Sequence, residues 1–148
     1  METQERKIEL IARRFYQQLG WYELILYPFM IGGAGLYFSG RIWGGSLLLL
    51  TGLIQAMAYM VLWYHPGMGI RFRFASLGLS FGLLGSVFFL LKMQSDKLFL
   101  ALGLASLLAA LLLYLRQGLQ QADRKIIYRI TLMLIWLLAL GLRLIGLF

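Results

Sequence analysis

The sequence contains no cysteine and no asparagine, and it has a single histidine. Without cysteine there can be no disulfide, no thiolate metal site and no thiol nucleophile. Without asparagine there is no acceptor for N-glycosylation. One histidine cannot build a multi-histidine metal site within one chain. We therefore expect no metal and no other cofactor in this chain.

Charged residues are also scarce, at 14% of the 148 residues, whereas a soluble domain carries roughly a quarter. Hydrophobic residues make up 61% of the chain. This balance excludes a water-soluble globular domain and predicts an all-α, polytopic integral membrane protein.

Five apolar runs account for most of the chain, and each has about 18–23 residues, enough to cross a ~30 Å hydrocarbon core as a helix. The runs lie at about 21–39, 42–64, 74–91, 98–115 and 128–148. Helix is expected because backbone groups in lipid must find their partners within the segment. We therefore predict one five-helix transmembrane domain over residues 20–148. Tight connections are expected at 40–41, 65–67 and 92–97, and a longer polar one at 116–125.

Residues 1–19 differ from the rest because they mix basic and acidic side chains with a few apolar ones. Ile8, Ile11, Phe15 and Leu19 share one helical face. This pattern predicts a separate amphipathic helix lying in the headgroup layer. A surface helix packed on its own protein is an equally good interpretation. The segment lacks the apolar core of a secretory signal.

The basic residues divide unevenly between the two sides that five crossings would create. Ten fall on the side of the N-terminus and four on the other. The ten are Arg6, Lys7, Arg13, Arg14, Arg71, Arg73, Arg116, Arg124, Lys125 and Arg129, and the four are Arg41, Lys92, Lys97 and Arg143. The bias predicts a plasma (inner) membrane protein with a cytoplasmic N-terminus and an external C-terminus. The net charge of +8 is then explained by anionic headgroups at the cytoplasmic face, and not by nucleic acid.

Small residues recur at three-and-four spacing in the third and fourth runs, where they allow close helix approach in lipid. The two stripes are Gly78, Gly82, Gly85 and Ser86, and Ala101, Ala105 and Ala109. We expect these stripes to pack on each other or against a partner. Residues 78–82 also match the G-x-S-x-G nucleophile motif, but that motif needs a strand-to-helix turn with a nearby acid and histidine. Its position inside an apolar run argues against catalysis.

Polar side chains within the apolar runs are the candidate functional residues. Glu23 is expected to reach toward the interface near Arg13 or Arg14, with a role in proton or cation handling as the alternative. Gln55 is expected to form interhelical hydrogen bonds.

The connection between the second and third runs holds further candidates. His65 precedes a Pro-Gly turn, so an interfacial turn histidine is the simplest interpretation, and axial ligation of a haem is the alternative. Arg71 and Arg73 follow closely. Together with Glu23 and His65, they are the only groups that could converge at one interface as a membrane enzyme would require.

The functional expectation follows from this shortage of converging polar groups. We expect a non-enzymatic structural or assembly subunit of a larger membrane complex, acting through helix packing with other subunits or with itself. The alternative is a small homo-oligomeric transporter or channel for an ion or small solute. An odd number of spans and a strong charge bias argue against two inverted halves or a dual-topology dimer.

Overall fold

The computed structural model describes residues 2–66, 68–117 and 124–144, and all the regular structure in these ranges is helical. The five α-helices are α1 (Glu2–Phe38), α2 (Ile42–Val61), α3 (Ile70–Leu90), α4 (Asp96–Gln117) and α5 (Arg124–Leu144). A short 3-10 helix, Leu62–Tyr64, continues α2. The expected all-α membrane architecture is confirmed.

Four of the helices are long and apolar enough to cross a membrane: Ile42–Tyr64, Ile70–Leu90, Asp96–Gln117 and Arg124–Arg143. The apolar half of α1 is not among them. It contains a carboxylate, a proline and several tyrosines and glycines, which lower its mean hydropathy. A fifth crossing by α1 therefore stays a prediction. Gly67, the centre of the polar stretch at 118–123 and the end of the fifth run at 145–148 lie outside the described residues.

Residues 1–19 and the first apolar run belong to the same helix, since α1 is continuous through Leu19 and Gly20. At 1.5 Å per residue its 37 residues extend about 55 Å, much more than a hydrocarbon core. Its residues 12–19 pack on the protein, with Ala12 and Leu19 fully buried, whereas Ile8 and Ile11 of the expected apolar face are exposed. Its opposite face, with Arg13 and Arg14, is exposed.

Two tight antiparallel hairpins, α1–α2 and α3–α4, form the framework of the bundle. In the first, a methyl group on Gly33 would lie 2.8 Å from the Leu48 amide nitrogen, and Gly44 allows a similarly close approach to α1 at Tyr37. Gly40 makes the turn between them with a φ of 80°, a conformation that favours glycine.

The α3–α4 hairpin also depends on close contact between backbones. A methyl group on Gly103 would lie 2.5 Å from the Gly82 amide nitrogen, and one on Gly85 would lie 2.6 Å from the Leu100 nitrogen. The expected packing of the third run on the fourth is therefore present. Helix α3 is the central element, since it also packs against α2 and α5.

The alanine stripe of the fourth run does not pack on the third run, because Ala101 and Ala105 are exposed and Ala109 is only half-buried. Packing of these alanines against a partner stays a prediction. The side of α4 that meets the bundle is instead formed by Leu100, Gly103, Leu107, Ala110 and Tyr114. Gly103 lets the backbones of α3 and α4 come close together. Apolar side chains gain little by leaving a lipid surface, so close packing determines which face of α4 meets the bundle. The alanines are left on the outer surface.

Candidate functional site: an ion pair at the mouth of a lateral cleft

A polar cluster joins α1, α2 and α5 near the end of the bundle where α2 ends and α3 and α5 begin, which we call the basic end. Arg129 on α5 holds Glu23 on α1 through two hydrogen bonds. Its Nε donates to Glu23 Oε1 at 2.6 Å, and its second guanidinium nitrogen donates to Oε2 at 2.6 Å. This parallel, two-point geometry is the strongest form of an arginine–carboxylate pair.

Two tyrosines complete the polar cluster. The Tyr59 hydroxyl on α2 donates to Glu23 Oε1 at 2.7 Å, and the Tyr27 and Tyr59 hydroxyls are 2.8 Å apart. Both carboxylate oxygens of Glu23 therefore accept hydrogen bonds, and Oε1 accepts two. The side chains of Arg129 and Glu23 are only 17% and 13% exposed, so the pair is largely withdrawn from the surface.

The expected neighbourhood of Glu23 is therefore wrong, since its partner is Arg129 and not Arg13 or Arg14. On a continuous helix, Arg13 lies ten residues before Glu23, about 15 Å along the axis. Side chains on one helix pair at separations of three or four residues. The uninterrupted course of α1 thus removes the local partner, and a residue 106 positions away takes its place.

The cluster lies in a cleft of about 1150 Å³ that we call the α1–α5 cleft. Helices α1 and α5 form its walls, and side chains of α2 and α3 form its floor, among them Tyr59 and Leu83. Its rim residues Trp21, Ile31 and Tyr128 are well exposed, so the cleft opens on the lateral surface of the bundle. A cleft of this kind faces lipid in a membrane.

Gln55 is fully buried on α2, on the same helical face as Gly52 and Tyr59. Neither of its side-chain amide atoms has a hydrogen-bond partner among the described residues. The expected interhelical hydrogen bond of Gln55 is therefore not found in that part of the chain. Interhelical bonds come instead from Ser80, which donates to the Ala56 carbonyl at 2.9 Å, and from Trp136, which donates to Ser86 Oγ at 3.0 Å.

His65 belongs to an aromatic cluster at the basic end. Its ring makes edge contacts with Tyr16 at 5.2 Å and Phe72 at 5.9 Å between centroids, and its Nδ1 lies 2.9 Å from the Pro66 carbonyl oxygen. These contacts fasten the first half of α1 to the α2–α3 connection. This is the arrangement of an interfacial turn histidine.

The two arginines that follow turn to different aromatic rings. Arg71 lies over the Tyr114 ring at 4.9 Å, and Arg73 lies over the Trp63 ring at 5.6 Å. Cation–π contacts of this kind stabilise packing at the ends of helices. Among residues 2–66, 68–117 and 124–144, no group of three or more metal-ligating side chains comes together.

Arg129 and the two tyrosines were not expected from the sequence to lie near Glu23. The count of basic residues assigns Arg129 to the connection because it is only the second residue of the fifth run, 128–148. Helix α5 begins at Arg124, so Arg129 lies more than one turn into the helix. The sequence does contain a signal for this pair, since two residues of opposite charge lie at equal depth in two apolar runs.

Comparison with known protein families, characterised proteins and solved structures finds no match to this chain. The structure defines the class of protein, a multi-pass helical membrane protein. Its function has to be argued from the geometry alone.

Proposed function

We propose that this protein is a non-enzymatic subunit or assembly factor of a larger membrane complex, which acts through helix contacts in the bilayer. The observation that carries the proposal is the state of Glu23, whose carboxylate is largely withdrawn from the surface and hydrogen-bonded to two other helices. The Glu23 carboxylate accepts three hydrogen bonds from Arg129 and Tyr59, and these bonds join α1 to α2 and α5. Catalysis needs converging groups that are available to a substrate.

The outer surface of the bundle supports the same proposal. Helix α4 presents a continuous exposed apolar face that includes Leu98, Ala101, Leu102, Ala105 and Leu112. Helix association in lipid needs only close packing and occasional polar pairs. We place the protein in the plasma (inner) membrane, with its N-terminus in the cytoplasm and its C-terminus outside, because of the distribution of basic residues.

The native mass of the protein after gentle extraction tests this proposal. The chain weighs 16.9 kDa. We expect a particle that contains this chain together with at least one other membrane protein in fixed stoichiometry. A monomer recovered from several mild detergents would contradict the proposal, and a particle built only from copies of this chain would favour the alternative function.

The alternative is a small homo-oligomeric transporter or channel. Two observations favour it: Gln55 is buried without a partner among the described residues, and the Glu23–Arg129 pair lies at the mouth of a large cleft. Ionisable residues inside membrane spans often mark ion or solute pathways. Flux through the purified protein separates the two functions.

A further inference from the structure

The α1–α5 cleft is polar at one end and apolar along the rest of its length. At the basic end its lining includes Gln17, Glu23, Lys125 and Arg129. Beyond these residues, the lining that continues toward the opposite end of the bundle includes Met30, Ala34, Leu83, Val87, Leu90 and Leu132. The cleft therefore has the polarity of an amphipathic molecule with one headgroup and long alkyl chains.

The few polar atoms in the apolar part of the cleft are already satisfied within the protein. Ser86 Oγ donates to the Gly82 carbonyl at 2.7 Å and accepts a hydrogen bond from Trp136 Nε1 at 3.0 Å. A ligand in this part of the cleft would meet hydrocarbon and aromatic surface, which suits acyl chains.

The charge at the polar end favours an anionic headgroup. The charge of Glu23 is balanced by Arg129 at 2.6 Å, so that pair contributes no net charge. Lys125 lines the cleft and is exposed, and no carboxylate among the described residues pairs with it. Trp21 and Tyr128, both exposed on the rim, are side chains that prefer the level of lipid headgroups.

We propose that the α1–α5 cleft binds one anionic glycerophospholipid, with its phosphate at Lys125 and its acyl chains along α1 and α5 toward Ala34 and Trp136. The volume of about 1150 Å³ exceeds the range of about 300–1,000 Å³ that is usual for compact ligands. The charge of Lys125 at the polar end favours an anionic headgroup over a transmembrane helix of a partner. This proposal goes beyond the contact function and does not depend on it.

Native mass spectrometry of the delipidated protein tests the proposal. The protein is titrated with phosphatidylglycerol and, separately, with phosphatidylcholine of the same acyl chains. We expect one phosphatidylglycerol to be retained, in preference to phosphatidylcholine. Lys125→Gln should reduce phosphatidylglycerol retention about fivefold, the effect expected of one lysine near an anionic lipid surface. It should reduce phosphatidylcholine retention less, because the choline ammonium offsets the charge of the phosphate.

A second pair of variants tests the location of the acyl chains. Ala34→Phe narrows the cleft and should weaken retention of the lipid, whereas Ala105→Phe, the same change on the exposed face of α4, should leave it unchanged. Leu132→Trp, on the opposite wall, replaces Ala34→Phe if that variant loses its helical circular dichroism.

Three results would overturn the proposal: equal retention of the two lipids, unchanged retention in folded Lys125→Gln and Ala34→Phe, or retention lost equally in Ala105→Phe. A protein partner crosslinked in native membranes to a photoreactive residue at position 132, with no phospholipid adduct there, would assign the cleft to that partner instead.

Discussion

At the scale of single residues, the Glu23–Arg129 pair ties α1 to α5, the first and last helices. Charges withdrawn from water are costly to bury, and the pair recovers that cost only through its two-point geometry and the additional bond from Tyr59. Removal of one partner leaves the other charge uncompensated. The pair therefore favours one position of α5 against α1 over others.

Glu23→Gln should accordingly destabilise the protein in detergent by about 3 kcal/mol, because Arg129 then remains buried without a counter-charge. Arg129→Gln should cost a similar amount. The double variant should be more stable than either single one, since two neutral amides can hydrogen-bond to each other. Chemical or thermal unfolding followed by circular dichroism measures these differences.

Lys97→Gln is the control for the loss of one charge, because Lys97 is exposed at the opposite end of the bundle. Its stability should stay within about 0.5 kcal/mol of the wild type. Strictly additive losses in the double variant would show that the two charges do not stabilise each other.

At the scale of helices, close contact between glycines explains the α3–α4 hairpin. Gly103 meets the backbone of α3 at Gly82, so an added methyl group would contact main-chain atoms that cannot move aside. The Cβ of a residue at Gly82 would point instead to the flexible side chains of Met133 and Leu137 on α5. The two sides of this contact therefore tolerate substitution differently.

Gly103→Ala should lower the unfolding temperature clearly, at a cost of about 1–3 kcal/mol, because overpacking forces the helices apart. Gly35→Ala is the matched control. A methyl group on Gly35 would have open space around it, and alanine favours helix over glycine by up to about 1 kcal/mol. Gly35→Ala should therefore be neutral or stabilising. Equal unfolding temperatures of Gly103→Ala and Gly35→Ala would contradict the packing described here.

The helices themselves could be predicted from the sequence, because a run of apolar residues in lipid has no other way to satisfy its backbone. The second run, 42–64, corresponds to α2 with its 3-10 extension, and the short connections at Gly40 and after Leu90 were also expected. The continuity of α1 was not expected, since a change in composition at residue 20 does not require a break in the backbone.

The candidate site was predictable only in part. Glu23 could be recognised from its position, whereas its partner depends on how α5 is rotated and placed, which sequence periodicity does not determine. The face of α4 that packs on α3 could not be predicted for a related reason. Ala101, Ala105 and Ala109 form a regular stripe, but a single glycine at position 103 permits a closer approach than three alanines do.

At the scale of the whole molecule, the number of crossings decides which side each connection occupies. The natural absence of cysteine allows single-cysteine variants to be labelled with a membrane-impermeant thiol reagent. With five crossings, cysteines at Lys7, Met68 and Arg116 should react only from the cytoplasmic side, and those at Arg41 and Gln94 only from outside. Labelling of the Lys7 and Arg41 variants from the same side would show that α1 does not cross.

The central claim is that the protein works by contact and not by moving a solute. Reconstitution of the purified chain alone into liposomes tests it most directly, with ion and small-solute flux compared against empty vesicles. We expect no flux above that of the empty vesicles. Flux that exceeds this background and is abolished by Glu23→Gln or Gln55→Leu, in variants that remain folded, would contradict the account and establish transport.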